Sequence, residues 1–173
     1  MSAALPDHLL KLGTPLFVLL DSAQEASTPS RLRNAGLAYR SLYDGPEGER
    51  LASIAPYLAA LPPGAPILPK LLEDMRGQSW GIFLTSKQSL DEVRRHLRRF
   101  LQVRLPGDKQ VLFRFYDPRI LSVLLPTCDE AQLDALFGSV IEHYLMEDEA
   151  GRGFASFSRN SAGGLLIGRF PER

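Results

Sequence analysis

Apolar residues are distributed along the chain in short blocks of two kinds, and the blocks alternate. Leu16-Phe17-Val18-Leu19-Leu20 is an uninterrupted apolar run that stops at Asp21. A run without polar interruption reads as a strand covered on both faces, as in sheets sandwiched by helices. Thr28-Pro29-Ser30 then offers a cap followed by a first-turn proline, with Leu32, Ala35 and Gly36 completing a short amphipathic helix. Ala38 to Tyr43 predicts a short strand closed by an Asp44-Gly45-Pro46 turn, Gly48 to Ser53 a second short helix, and Pro56 to Leu61 another strand. The loop Pro62-Pro63-Gly64-Ala65-Pro66 leads into a helix over Pro66 to Arg76, with Leu68, Leu71, Leu72 and Met75 on one face and Gly77 as its stop.

Trp80 to Leu84 is again strand-like. After it, Ser89-Leu90-Asp91-Glu92 has the spacing of a capping box, in which serine and glutamate satisfy each other's free amides. Leu90, Val93, Leu97, Phe100 and Leu101 continue the helix at three-and-four spacing. The turn Pro106-Gly107-Asp108-Lys109 introduces a strand over Val111 to Tyr116. Asp117-Pro118 opens a helix that runs to Leu125 and is stopped by Pro126. Asp129-Glu130-Ala131-Gln132 opens another, with Leu133, Leu136 and Phe137 inward and Gly138 as its stop. From Ser139 the character changes: Val140 to Met146, Phe154 to Ser158 and Leu165 to Phe170 read as strands, separated by the acidic turn Glu147-Asp148-Glu149 and a glycine turn at Gly163-Gly164. The expected fold is α/β, a mixed central sheet flanked by helices with a β-rich C-terminal tail. Helix-containing connections favour parallel neighbours in the first part, and tight turns favour antiparallel pairing in the tail.

Composition narrows the functional classes. The chain has 173 residues, 45% hydrophobic and 23% charged, as expected of one self-sufficient globular domain over residues 1–173. Twenty basic residues balance twenty acidic ones, which argues against a dedicated nucleic-acid binder. No apolar run approaches the roughly 20 residues that span a bilayer, and Met1 to His8 has no signal-peptide pattern, so a cytoplasmic protein with no membrane partner is expected. The single cysteine, Cys128, excludes a disulfide framework and reads as a structural or incidental thiol.

The search for chemistry yields little of catalytic shape. His8, His96 and His143 are far apart, and no phosphate loop, dinucleotide fingerprint or nucleophile elbow is present. No cofactor or metal is implied. Asp21, at the end of the first strand, reads first as a residue that turns the chain; a small hydrolase or transferase using Asp21 and Asp117 at the sheet edge is the catalytic alternative. Phe113-Arg114-Phe115-Tyr116-Asp117-Pro118-Arg119 is the most unusual segment. Strand alternation places Val111, Phe113 and Phe115 on one face and Leu112, Arg114 and Tyr116 on the other. An arginine there must reach solvent or pair, with Asp117 or Asp21 as partner, because an unpaired buried charge costs several kcal/mol. The segment is thus either an internal ion pair or a polar contact site. Arg94, Arg95, Arg98 and Arg99, with His96 nearby, form a basic helical face that reads as solvated or as a site for an acidic partner.

These blocks together resemble the effector adaptor, or chaperone, proteins of the bacterial type VI secretion system, whose shared domain is one of unknown function, DUF 4123. The resemblance runs from Pro15 to Gly138 and rests on Leu19-Leu20-Asp21, Tyr39-Arg40-Ser41-Leu42-Tyr43, Ala55-Pro56-Tyr57-Leu58, Trp80-Gly81-Ile82-Phe83-Leu84, the Leu90 to Leu101 helix, and above all Val111 to Arg119, followed by Leu133 and Phe137-Gly138. Residues 14–138 are therefore read as the family core and 139–173 as the β-rich tail, where many members carry a helical lobe. The resemblance implies a non-catalytic cytoplasmic loader that holds a toxic effector and helps mount it on the VgrG/PAAR spike. Arg114, Tyr116, Asp117 and Arg119, with Arg95 and Arg99, are the expected partner-binding residues.

Overall fold

The apolar run near the start of the chain becomes the centre of the sheet. The computed structural model describes residues 14–148 and 153–171. The readings of the N-terminal Met1 to His8 segment and of Glu149 in the acidic turn lie outside them. Leu16–Asp21 forms strand β1, in which Phe17 and Leu19 face one hydrophobic cluster and Val18 and Leu20 the other. Covered on both faces, β1 has no position at which a polar residue could reach water, which is why its sequence does not alternate.

The other strands are β2 (Tyr39–Ser41), β3 (Pro56–Leu61), β4 (Gly81–Thr85), β5 (Gln102–Leu105), β6 (Lys109–Leu112), β7 (His143–Glu147), β8 (Gly153–Arg159) and β9 (Leu165–Pro171). Among the described residues, seven form one sheet in the order β2-β3-β1-β4-β7-β8-β9, and β5 and β6 form a separate hairpin. The helices are α1 (Thr28–Asn34), α2 (Gly45–Arg50), α3 (Leu68–Met75), α4 (Leu90–Arg98), α5 (Pro118–Thr127) and α6 (Glu130–Phe137). Leu32 of α1 and Leu68, Leu71 and Leu72 of α3 cover one face. Val93 and Leu97 of α4, Leu121 and Leu125 of α5, and Leu133, Leu136 and Phe137 of α6 cover the other. The fold is mixed α/β.

The expected parallel neighbours are not found: every pair in the sheet is antiparallel. The physical reason is visible in the strand order. Through α1 the chain passes from β1 to the parallel strand β2, and through α3 from β3 to the parallel strand β4, as helical crossovers favour. In each case an antiparallel strand has been inserted between the two, β3 in the first and β1 in the second. Close packing at the centre fixes one glycine: a Cβ on Gly81 would lie 2.1 Å from the Leu19 carbonyl oxygen on the neighbouring strand.

Several local expectations also shift. The chain leaves the extended conformation after Leu112, so the predicted Val111 to Tyr116 strand is a hairpin strand followed by a turn, closed by Asp117 N–H donating to the Arg114 carbonyl at 3.1 Å. Phe115 and Tyr116 are consequently both buried, where strand alternation would have sent them to opposite faces. Thr28 is not a cap: Ser27 holds that position, and the Thr28 hydroxyl accepts from Trp80 Nε1 at 3.0 Å. Asp44-Gly45-Pro46 starts α2 rather than a turn, so that helix lies three residues earlier than the predicted Gly48 to Ser53. The helix predicted from Pro66 to Arg76 spans only Leu68–Met75, and Pro126 sits inside the last turn of α5 instead of ending it at Leu125. Gln102–Leu105 was not expected as a strand. The tail strands pair as expected, and β7 joins β4, so the sheet runs on across residue 138 without a break.

Candidate functional site

Two regions carry the singled-out residues, and the structure gives them different work. The first is the Phe113 to Arg119 segment. Arg114 pairs with Asp21, whose side chain is 2% exposed at the end of β1, while the other Asp21 oxygen accepts the Ala23 amide at 2.9 Å. Asp21 therefore both turns the chain leaving β1 and receives the guanidinium. Burial works against the charge on Arg114, but the adjacent Asp21 carboxylate raises its pKa overall. Tyr116 is buried, and burial, then Tyr43 and Asp21 beside it, pushes its phenol well above the ordinary range.

Asp117 caps α5 by accepting the Arg119 amide at 2.9 Å, and the Arg119 side chain returns to it at 3.0 Å from Nε and 2.6 Å from Nη2. Burial tends to raise the Asp117 pKa; the hydrogen bonds from Arg119 outweigh it and hold the carboxyl below its usual value. Both carboxylates that a hydrolase would need free are thus taken up by arginines. Tyr116 and Asp117 present no surface to a partner, Arg114 is partly exposed, and Arg119 is mostly exposed. The segment is a clamp that ties the end of β1 to the start of α5.

The clamp reaches the second region through aromatic contacts. His96 meets Phe100 at 5.3 Å, Phe100 meets Phe115 at 5.9 Å, and Phe115 meets Tyr116 at 5.5 Å, each edge to face. These contacts join α4 to the clamp, and a cleft of about 800 Å³ lies between α2, α4 and the β5–β6 hairpin. Leu51, Val103 and Leu112 give it apolar surface above the buried Leu42 and Leu101. Among the described residues Arg95, Arg98, Arg99 and Arg104 line it together with Asp44 and Glu47, Arg104 also pairing with Asp108 at 3.2 Å. Asp44 binds Arg98 at 2.8 Å and Arg94 at 3.5 Å, and Arg94 Nε also donates to the Ser41 carbonyl at 2.6 Å. A hydrogen bond with the Gly45 backbone, then the charges of Arg98 and Arg94, lower the Asp44 pKa.

Arg98 Nε is buried and has no hydrogen-bond partner among the described residues. Arg95 and Arg99 are exposed, and neither forms an ion pair among the described residues. The hairpin that forms the far wall exposes Leu105 and Leu112. The cleft joins a cationic rim to apolar surface, an arrangement suited to an acidic segment carrying apolar side chains.

The family described as Domain of unknown function (DUF4123) matches residues 16–135, more than half of the chain. The chain belongs to this family. The curated proteins and the solved structures gave no match. The DUF4123 match extends from β1 into α6, and so contains both the clamp and the arginine cleft; β7, β8 and β9 lie beyond it.

Other candidate groups in this DUF4123 chain are accounted for by packing. His96 is turned inward, not on the basic face: its Nε2 lies 2.8 Å from the Leu136 carbonyl, and burial lowers its pKa. His143 is half-buried with its Nδ1 2.8 Å from the Thr85 hydroxyl, and burial lowers its pKa as well. Burial, then Asp129, raises the Cys128 thiol, which makes it a poorer nucleophile. Among the described residues no cluster of His, Cys, Asp or Glu could hold a metal ion, and no helix is long and apolar enough to cross a membrane. Sequence reasoning located the arginines but missed the opposite wall. Its signal was the Pro106-Gly107-Asp108 turn flanked by Val103, Leu105 and Val111, a hairpin pattern in retrospect.

Proposed function

We propose that this DUF4123 chain is a type VI secretion adaptor that binds a toxic effector and promotes its loading onto the VgrG/PAAR spike, by protein recognition and without catalysis. The observation that carries the reading is that Arg95 and Arg99, exposed and without an ion pair within 4 Å among the described residues, stand on the rim of an open cleft partly lined by apolar side chains. Exposed charges at a rim steer an oppositely charged partner, and desolvated apolar surface retains it. The secretion context rests on the resemblance carried by the ordered blocks from Pro15 to Gly138. The capture of Asp21 by Arg114 and of Asp117 by Arg119 counts against a carboxylate-based hydrolase or transferase.

The acidic partner segment occupies the cleft, and Arg114 acts behind it by holding the clamp. The test is co-purification from a cell that also expresses the neighbouring effector and spike protein, at low and high salt. The expected result is recovery of at least one of the two at low salt, weakened as salt rises. Recovery of neither at low salt contradicts the loader reading.

A further inference from the structure

Among the described residues the seven-stranded sheet ends at β2 and β9, and these two edges are unlike. β2 is only three residues long, a common way of protecting an edge. β9 is seven residues long and exposes Leu166 and Ile167. It has one charged residue, Arg169, and its proline, Pro171, is at the very end where it blocks no central position. The usual devices against edge pairing are therefore missing from its middle.

The β8–β9 turn fixes which backbone groups of β9 point outward. Asn160 N–H donates to the Gly164 carbonyl at 2.9 Å and Gly163, at φ +88°, donates back to the Asn160 carbonyl at 3.1 Å. Residues 160 and 164 are thus a bonded pair. Antiparallel alternation then assigns the bonds to β8 to Leu166, Gly168 and Phe170, opposite Ser158, Ser156 and Phe154. The N–H and C=O groups of Leu165, Ile167 and Arg169 face away from the sheet.

We infer that this edge pairs with the same edge of a second copy, antiparallel, about a twofold axis through Ile167. That register is the self-complementary one. It sets Ile167 against Ile167 of the second copy and Leu165 against Arg169 of the second copy, and forms about six backbone hydrogen bonds from the outward groups. Leu166 falls opposite Gly168 of the second copy. Moving the axis to Arg169 would oppose two like charges and bring Pro171, which has no N–H, into the ladder. Moving it to Leu165 would run the strand into the glycine turn. The register through Ile167 lets the strand pair with itself without opposing like charges or placing proline in the ladder, and on that ground the occupant is assigned to another copy of this chain.

Pairing through one seven-residue strand is a small contact beside the roughly 1,200 Å² of a stable interface, so the dimer is expected to be weak and concentration-dependent. The experiment is sedimentation velocity on the full chain from low micromolar to sub-millimolar concentration, with amide hydrogen exchange at both ends of that range. The expected result is a rising sedimentation coefficient, together with slower exchange of the Leu165, Ile167 and Arg169 amides at high concentration. Ile167→Lys, which opposes two cations on the axis, abolishes both effects while the melting temperature stays within about 2 °C of wild type. A chain that stays monomeric throughout overturns the inference. So does a dimer that survives Ile167→Lys, or protection of those amides only when a different protein is added.

Discussion

Replacing Arg114 with alanine distinguishes a clamp from a contact site. The substitution leaves the Asp21 carboxylate at the end of β1, 2% exposed, with only the Ala23 amide as a hydrogen-bond donor. Breaking a fully buried pair by removing one member typically costs about 3–5 kcal/mol. The Arg114 side chain is 36% exposed, so water screens the pair and can reach the carboxylate once the arginine is gone. The cost is accordingly reduced to about 2 kcal/mol. For a chain of this length that corresponds to a fall in melting temperature of about 4–8 °C.

The assay is thermal and urea unfolding of wild type, Arg114→Ala, Asp21→Asn and the double variant. A clamp gives a double variant less destabilised than the sum of the singles by about 1 kcal/mol or more. It also leaves partner binding intact at temperatures where Arg114→Ala is folded. Additive single effects, or an Arg114→Ala protein of wild-type stability that no longer binds its partner, would refute the clamp and restore Arg114 as a contact residue.

Gly81→Ala places a methyl group 2.1 Å from the Leu19 carbonyl oxygen in the middle of the sheet, and is expected to cost more than about 4 kcal/mol, read as loss of soluble folded protein. Asp117→Ala removes the α5 cap and the anchor of Arg119, and is expected to lower stability by about 1–2 kcal/mol in urea unfolding. The buried histidines set an acid limb. Burial lowers the pKa of His96 and His143 from the ordinary 6.5, so the unfolded chain binds more protons just below that pH. Stability is therefore full above pH 6.5, falls as pH drops from 6.5 towards the folded-state values, and the fall is shallower in His96→Gln, as unfolding free energies measured across that range will show.

The contrast between what the sequence announced and what the fold contains has local causes. β1 and the capping-box helices α4 and α6 were plain because their signals are short-range: an unbroken apolar run, or a side chain meeting an amide three residues away. Sheet direction was not, because it depends on which strand is inserted between two others, a choice made by contacts such as Leu20 with Gly81 that are distant in sequence. The Arg114 partner was narrowed correctly to two aspartates, yet the periodicity of two assumed a strand where the chain turns. Asp117 caps its helix as its place before Pro118 predicts, whereas Tyr116 and Asp117, expected among the partner-binding residues, are both buried. His96 was grouped with the arginines beside it, although its position next to Leu97 and three after Val93 places it on the inner face of α4. The arginine cleft needed α2 and the β5–β6 hairpin to close around α4, and no single segment specifies that arrangement.

The most direct test of the account is the affinity of the chain for its effector or spike partner when the two exposed rim cations are reversed. Arg95 and Arg99 are exposed, so Arg95→Glu/Arg99→Glu is expected to fold with unchanged stability. The account predicts that titration calorimetry will then show binding weakened at least tenfold at low salt, with the dependence of affinity on salt largely removed. Wild-type affinity and an unchanged salt dependence in that double variant would contradict it.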